Sequence, residues 1–176
     1  MDSVKLLTFP RSGSHFLRDM LLQKTGFDLR GTHKKNDKAD FIITIVRNPL
    51  DAFISTIKMD EHYRGTKDGP VRRKDGMLIM KEYVEFHEEM YQRANLVIDY
   101  NDLINKPLET VAGVAAALGL EVNDKEYVST LKDRPEIRYL VSSTKVHIEP
   151  DHCVYTYDLT KPLEAYNKVL QKKLKV

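Results

Sequence analysis

A short loop of mostly small residues, set between an apolar run and a helical pattern, most constrains how this chain folds. The apolar run covers residues 4–8, the loop covers residues 9–15, and apolar residues recur at helical spacing over residues 16–21. This order predicts a strand, a tight turn and a helix. Backbone N–H groups of such a loop and of the helix N-terminus point at one place and favour an anion there.

The side chains of this loop suit a phosphate, although the loop differs from a Walker A sequence. Arg11 adds a fixed positive charge, and Ser12 and Ser14 add hydroxyl donors. A Walker A motif needs a lysine directly after its second glycine, whereas Gly13 is followed by Ser14 and His15. The simpler alternative is an ordinary strand-to-helix turn with Ser14 as the helix N-cap, and both descriptions can hold together.

A second strand-to-helix junction carries another arginine. Residues 40–46 form a continuous apolar run rich in β-branched side chains, which predicts a buried strand. Arg47 follows directly, and Pro49 suits the first turn of the next helix. An arginine at the carboxyl end of a parallel strand lies in the crevice where open α/β sheets bind ligands. Ser55 follows two helical turns further along, and Asp51 is expected to favour the helix N-terminus.

Strand and helix patterns alternate along the chain. We expect strands at 3–8, near 27–31, at 40–46 and at 95–100, and helices at 14–24, 49–59, 77–93, 107–118, 123–132 and 161–173. An extended stretch is expected at 137–157, and the glycine, proline and charge of residues 60–76 predict a loop. The alternation predicts one α/β domain over residues 1–176, in three layers, with a central parallel sheet and helices on both faces.

Composition sets outer limits on the function. The 176 residues are 41% hydrophobic and 31% charged, as in a soluble globular protein. The net charge of +2 gives no general case for nucleic-acid binding. The single cysteine, Cys153, excludes an intramolecular disulfide and fits a reducing compartment. No apolar run approaches the ~18 residues of a membrane span, and the first residues lack a signal peptide's apolar core. A cytoplasmic protein that binds no membrane is therefore expected.

Together the two junctions resemble the sulfotransferases that use 3′-phosphoadenosine 5′-phosphosulfate (PAPS). The first family motif, close to [TS]-[FY]-P-[KR]-S-G-[TS]-x-[FW]-L, is matched at every position by residues 8–17. The second, R-[ND]-P-x-[DE] with a serine eight residues after the arginine, is matched by Arg47 to Asp51 and by Ser55. A softer resemblance covers residues 96–120, where Asn101 replaces the usual glutamate of Y-E-D-L. The resemblance spans roughly residues 3–120 and implies a P-loop NTPase-like fold.

The resemblance implies transfer of the sulfonate group from PAPS to a hydroxyl or amine, with release of 3′,5′-adenosine bisphosphate (PAP). Arg11 would lie on the leaving phosphate and the transferring group. Arg47 and Ser55 would bind the 3′-phosphate, and Tyr100 would pack near the adenine. The 5′-phosphate would be wrapped, chiefly through backbone N–H groups, by Ser12, Gly13, Ser14, His15 and Phe16.

The resemblance also implies that His33 is the general base. Cytosolic family members carry K-T-H where this chain has Gly31-Thr32-His33. A histidine with its ordinary pKa near ~6.5 suits removal of a proton from an acceptor at neutral pH. Gly31 lacks the positive charge of the family's lysine, for which Lys34 or Lys35 is expected to compensate. The reserve candidates for the base are Glu61 and His62.

The last third of the chain departs most from the family. The R-K-G-x-x-G-D-W-K motif that closes over the nucleotide is missing, which leaves Arg134, Arg138 and Lys145 as candidates for the 3′-phosphate. No metal is expected, because the spacing of the neighbouring possible ligands matches no zinc pattern: these are His147, Asp151, His152 and Cys153.

Two other functions remain open at this point. One is a P-loop nucleotide or nucleoside kinase, which predicts a lysine after Gly13 and an aspartate in place of Arg47. The other is a protein of the same fold that binds a nucleotide without turnover. The acceptor, a small molecule or a carbohydrate, is not identified, and residues 60–76 are expected to form a lid or acceptor surface. The oligomeric state is open.

Overall fold

Four parallel strands form the centre of the fold. The computed structural model of the chain describes residues 3–64, 73–128, 139–142, 145–148 and 155–174. The parallel sheet contains β1 (Val4–Leu7), β2 (Arg30–Thr32), β3 (Phe41–Val46) and β4 (Leu96–Asp99), in the spatial order β2-β1-β3-β4. The predicted α/β class with a central parallel sheet is confirmed.

Helices surround this sheet, and a smaller sheet follows late in the chain. The helices are α1 (Ser14–Thr25), α2 (Pro49–Arg64), α3 (Arg73–Arg93), α4 (Tyr100–Asn105), α5 (Pro107–Leu118) and α6 (Thr160–Leu170). The predicted extended stretch at 137–157 contains three antiparallel strands, β5 (Tyr139–Ser142), β6 (Lys145–Ile148) and β7 (Tyr155–Asp158). This second sheet was not anticipated as a separate unit.

The two faces of the parallel sheet are both covered, because alternate strand residues point to opposite sides. In β1, Leu6 joins a core with α1 and α5, whereas Leu7 joins a core with α3 and α6. In β3, Ile43 and Ile42 divide in the same way. Helices therefore lie on both sides of the sheet, in three layers.

The strand order creates a topological switch point between β1 and β3. From β1 the chain passes to β2 on one side, then returns past β1 to pair β3 on the other side. The crevice outside the carboxyl ends of the strands at such a point is where open α/β sheets bind ligands. The loops that follow β1 and β3 are the two junctions singled out from the sequence.

The outer edge of β4 is covered by a segment from much later in the chain. Lys173 forms a parallel bridge with Val97, and the N–H of Leu174 donates to the Val97 carbonyl at 2.7 Å. The Lys173 ammonium lies 3.2 Å from Asp102 and 3.8 Å from Asp99. Over the described ranges, no helix combines the length and apolar character needed to cross a membrane.

The helix predicted at 123–132 is wrong over 123–128, which has no regular secondary structure; residues 129–132 lie outside the described residues. Side chains of α1 bind this segment in place of helical hydrogen bonds. Lys24 donates to the Asn123 carbonyl at 3.3 Å, and Val128 donates its N–H to the Gln23 side chain at 3.2 Å.

The predicted loop at 60–76 is also wrong at its two ends. Residues 60–64 end α2 and residues 73–76 begin α3, while residues 65–72 lie outside the described residues. The short strand lies at Arg30–Thr32 rather than at 27–31. A further helix, α4, begins at Tyr100, where a strand end was predicted, because the Asp99 carboxylate caps it by accepting from the Asn101 N–H at 2.9 Å.

A glycine in the first turn of α3 is explained by packing against the small sheet. A Cβ at Gly76 would lie 2.4 Å from the Tyr157 ring, a distance that real Cβ atoms do not reach. Glycine has a low helix propensity, but it is required at position 76 because only a hydrogen atom fits beneath the Tyr157 ring.

We therefore expect Gly76→Ala to destabilise the protein by about 1–2 kcal/mol, because overpacking outweighs the gain in helix propensity. Chemical denaturation measures this free energy of unfolding. The matched control is the same change in a Tyr157→Leu background, where Gly76→Ala should be neutral or stabilising. Equal destabilisation in both backgrounds would contradict the packing explanation.

Candidate functional site

The loop after β1 holds its backbone in a conformation that only certain residues adopt. Arg11 has φ 66° and Gly13 has φ 89°, both in the left-handed region. A Cβ at Gly13 would also lie 3.0 Å from the Tyr100 ring. Two left-handed residues in one short loop turn the backbone sharply, at a cost that is typical of functional sites. Position 13 therefore requires glycine for both its backbone angle and the nearby ring.

Helix α1 presents an open N-terminus at the end of this loop. Gly13 occupies the N-cap position and makes no side-chain cap, and the first turn carries no acidic residue. The alternative with Ser14 as the N-cap is therefore wrong, since Ser14 is the first helical residue. A helix start without a side-chain cap or carboxylate leaves its N–H groups and positive dipole end to favour an anion.

Arginine and serine side chains from the two junctions meet at this place. The Nε of Arg11 donates to the Ser55 hydroxyl at 3.2 Å, and the Nη1 of Arg47 donates to the Arg11 carbonyl at 2.7 Å. The Ser55 hydroxyl therefore accepts a hydrogen bond from Arg11. The hydroxyl of its neighbour Thr56 instead donates to the Ala52 carbonyl of the same helix, at 2.8 Å. The structure thus brings together three of the residues predicted from separate motifs.

The strand register brings Tyr100 to the same group. Val46 pairs with Asp99 at the ends of β3 and β4, so the next residues, Arg47 and Tyr100, are neighbours. The guanidinium carbon of Arg47 lies 4.2 Å from the centre of the Tyr100 ring, a cation–π contact. Tyr100 thus lies between the Gly13 backbone and the Arg47 side chain.

Two buried polar atoms at this site have no protein hydrogen-bond partner among the described residues. They are the hydroxyl oxygen of Ser12, a residue that is 0% exposed, and the Nε of Arg47. Buried polar groups normally have a partner, because leaving one unpaired costs about 1–3 kcal/mol. Both atoms belong to residues predicted to bind phosphate groups.

The remaining loop residues differ in their surroundings. Ser14 is half-buried and His15 is exposed. Phe16 is buried and packs edge-on against Tyr127, with ring centres 5.7 Å apart. The side chain of Phe16 therefore belongs to the core, and only its backbone lies on the side of the loop.

His33 lies at the same edge of the sheet, directly after β2. Its Nδ1 is 2.8 Å from the Thr8 carbonyl and 3.4 Å from the Thr8 hydroxyl. A carbonyl only accepts, so this contact assigns the proton to Nδ1 of the neutral ring. The Nε2 atom then carries the lone pair that a general base uses. His33 is exposed, and thus accessible to an acceptor.

The segment that carries His33 is tied to the body of the fold. The ammonium of Lys35 contacts the Glu85 carboxylate at 2.6 Å, and this hydrogen bond lowers the pKa of Glu85. Arg93 donates to the carbonyls of Lys35 and Asp37, and Lys5 pairs with Asp37 at 3.1 Å. Lys35 is therefore paired with Glu85, whereas Lys34 is exposed, and the expectation that one of them compensates for the lysine absent at position 31 stays a prediction.

A bulky side chain has no room at position 31 without a rearrangement. A Cβ on Gly31 would lie 3.1 Å from Cδ of Arg18, whose Nε donates to the Leu29 carbonyl at 2.6 Å. Arg18 is thereby directed to residues that precede β2, away from the edge that carries His33.

Several predicted candidates are not placed by the structure. The side chains of Glu61, His62, Lys145 and His147 are not described, and Arg134, Arg138, Asp151, His152 and Cys153 lie outside the described residues. Where the chain is described, no group of three or more metal-ligating side chains is placed to hold an ion.

The sequence did not predict a pair of buried aromatic rings behind the site. Tyr83 is 2% exposed, and its hydroxyl donates to the Arg47 carbonyl at 2.6 Å. His87 stacks on Tyr83 with ring centres 3.9 Å apart, and its Nδ1 donates to the Tyr83 carbonyl at 2.8 Å. The helical spacing of apolar side chains around these residues predicts a buried face but gives no reason to expect a bond to Arg47.

Comparison of the chain with protein-family models, with curated proteins and with solved structures finds no match.

The burial of His87 should make the stability depend on pH. Burial lowers the pKa of His87 to about 4, against an ordinary 6.5. Between these values the unfolded chain binds a proton that the folded protein does not, so stability rises with pH and levels off above about 6.5. We expect a loss of about 2 kcal/mol in the free energy of unfolding from pH 7.5 to pH 5.

Urea denaturation at the two pH values measures this dependence. His87→Phe keeps a ring in the stack and should remove most of the loss. His15→Ala, which changes an exposed histidine, should keep it. A wild-type slope that persists in His87→Phe would assign the pH dependence to other groups.

Proposed function

We propose that this protein is a PAPS-dependent sulfotransferase with a P-loop NTPase-like arrangement of its sheet and first loop. The observation that carries the proposal is the meeting of Arg11, Arg47, Ser55 and Tyr100 at the switch point. They come from the first loop, from the segment that joins β3 to α2 and the following turns of α2, and from the start of α4, and each matches a position at which the family binds PAPS. The proposal includes a small-molecule or carbohydrate acceptor and a cytoplasmic location.

The nucleotide would occupy the crevice across the two junctions. The 5′-phosphosulfate would lie on the loop and the open N-terminus of α1, where the N–H groups and the buried Ser12 hydroxyl supply donors. The 3′-phosphate would take Arg47 and Ser55, since a guanidinium fork suits a phosphate dianion better than a lysine does. The N–H at Nε of Arg47 has no protein partner among the described residues and is available to donate to this phosphate.

The chemistry needs positioning and charge stabilisation more than covalent help. The acceptor oxygen attacks the sulfur atom as Nε2 of His33 takes the acceptor's proton. The bond from sulfur to the bridging oxygen of the 5′-phosphate breaks, and PAP leaves with the added negative charge. Arg11 would stabilise this charge after its guanidinium exchanges the Ser55 hydroxyl for the bridging oxygen.

The first test is calorimetric binding of PAP, AMP and magnesium-ATP. We expect magnesium-independent binding of PAP that is much tighter than binding of AMP, because AMP lacks the 3′-phosphate. Arg47→Gln should weaken PAP about 10- to 100-fold, as expected for the loss of hydrogen bonds to a charged group, and should change AMP little.

Arg18→Gln is the matched control, since this arginine binds the Leu29 carbonyl and not the loop. It should leave both affinities unchanged. A preference for magnesium-ATP over PAP would identify a kinase instead, and binding of none of the three nucleotides would overturn the assignment to a nucleotide site.

The second test concerns His33, with PAPS as donor and 4-nitrophenol as a probe acceptor. His33→Ala should slow formation of the sulfate ester about 100-fold or more, because a positioned general base contributes rates of this size. Its affinity for PAP should stay at the wild-type value. Asn36→Ala, which changes another exposed residue of the segment that carries His33, should keep wild-type turnover. A parallel loss of turnover in both variants would contradict the role of His33.

A nucleotide-binding protein without turnover remains a second candidate, because of one observation. Gly31 stands where the family has a lysine, and Lys35 is paired with Glu85. If wild-type protein binds PAP tightly but transfers no sulfonate to phenol, alcohol or amine probes, this second function is favoured.

A further inference from the structure

Arg47 lies between β3 and α2, and neither element donates a hydrogen bond to its carbonyl. The N–H groups of Ala52 and Leu50, at the start of α2, donate to the carbonyl and the side chain of Asn48, at 3.0 Å each. Pro49 has no N–H to offer. The carbonyl of Arg47 instead accepts from the Tyr83 hydroxyl of α3 at 2.6 Å. The backbone orientation at Arg47 therefore depends on a side chain from a later helix.

Tyr83 is held rigidly enough to fix this bond. It stacks on His87 at 3.9 Å with an angle of 24° between the rings, and Phe9 packs edge-on against it at 5.1 Å and 68°. Phe9 is the first residue of the first loop, so Tyr83 contacts both junctions of the site. Burial raises the pKa of the Tyr83 hydroxyl well above its ordinary value, so it remains a neutral donor.

The guanidinium of Arg47 is fixed at its other end. Its Nη1 binds the Arg11 carbonyl at 2.7 Å, its carbon lies 4.2 Å from the Tyr100 ring centre, and its Nε has no protein partner where the chain is described. Anchors at the carbonyl and at Nη1, together with the contact to the Tyr100 ring, restrict the directions in which Nε can point. Losing the carbonyl anchor would leave the backbone at Arg47 free to turn, and Nε would turn with it.

We propose that Tyr83 is a positioning residue that sets the selectivity of the site for a nucleotide with a 3′-phosphate, acting through the carbonyl of Arg47. This inference rests on the proposed function, and it adds to it a residue outside the motifs. The Tyr83 hydroxyl donates to the Arg47 carbonyl, and Tyr83→Phe removes it while the ring stays against Phe9 and His87, so only recognition of the 3′-phosphate should change.

The test is calorimetric titration of Tyr83→Phe with PAP and with AMP. The affinity for PAP should fall about five- to tenfold, the size expected for one hydrogen bond, and that for AMP should stay unchanged. In an Arg47→Gln background, Tyr83→Phe should have no further effect on PAP, because the residue through which it acts is gone. Tyr127→Phe, whose hydroxyl contacts Asp19 at 3.4 Å, is the matched control and should leave the ratio of affinities unchanged.

The outcomes separate the two proposals. If the wild type prefers PAP and Tyr83→Phe keeps the full preference, or loses PAP and AMP equally, the inference is overturned and the proposed function stands. If the wild type does not distinguish PAP from AMP, both are overturned. An additive loss in the Arg47→Gln background would also overturn the inference.

A second measurement does not depend on whether Tyr83→Phe folds. In wild-type protein labelled with 3-fluorotyrosine, the ¹⁹F resonance that moves most in His87→Phe identifies the ring stacked on His87. This resonance should shift when PAP is added and stay in place with AMP. Equal shifts with the two nucleotides would overturn the inference.

Discussion

The parallel pairing of β1 with β3 is the constraint on which the site depends. The strands β1 and β3 are separated in sequence by α1 and β2. The register that places Leu6 beside Ile43 brings their carboxyl ends together. Only with this pairing can the Arg47 guanidinium reach the Arg11 carbonyl. Because side chains alternate along each strand, the same register also sends Leu6 and Leu7 into different cores. A shift by one residue would disrupt both cores and the site together.

The site holds its positive charges in place before any ligand arrives. Each of the two arginines is bound to a neutral partner, Arg11 to the hydroxyl of Ser55 and Arg47 to a carbonyl and an aromatic ring. Among the described residues, no carboxylate pairs with the Arg47 guanidinium. An anion that enters beside Arg47 would meet a positive charge that is already held in position, so little reorganisation would be needed there. Under the proposed function, Arg11 would exchange its bond to Ser55 for one to the leaving phosphate.

The sequence predicted the parts of this molecule in which local pattern and tertiary packing agree. The strand-to-helix junctions at Gly13 and Pro49 have strong local signals, and α1, β3 and α5 lie within a residue of their predicted ends. The prediction failed where a distant group decided the outcome. The segment from residue 123 to 128 is held by Lys24 and Gln23 of α1, so its helical pattern is not realised.

In the candidate site, too, local motifs predicted some residues, whereas the roles of others depend on distant packing. Motif spacing predicted Arg11, Arg47, Ser55 and Tyr100, which the structure brings together. The role of Tyr83 was not predictable, because its bond to Arg47 depends on how α3 packs across the sheet rather than on any local pattern. The ion pair between Lys35 and Glu85 likewise depends on the packing of a loop against α3.

The bridge between Val97 and the segment at Lys173 and Leu174 has a consequence for the order in which the chain is made. During synthesis, β4 leaves the ribosome well before the residues that cover its outer edge. The unpaired N–H and carbonyl groups of that edge would meanwhile be able to pair with other chains. A chain that ended before residue 173 would keep this edge open permanently, so aggregation rather than loss of the site would be its first defect.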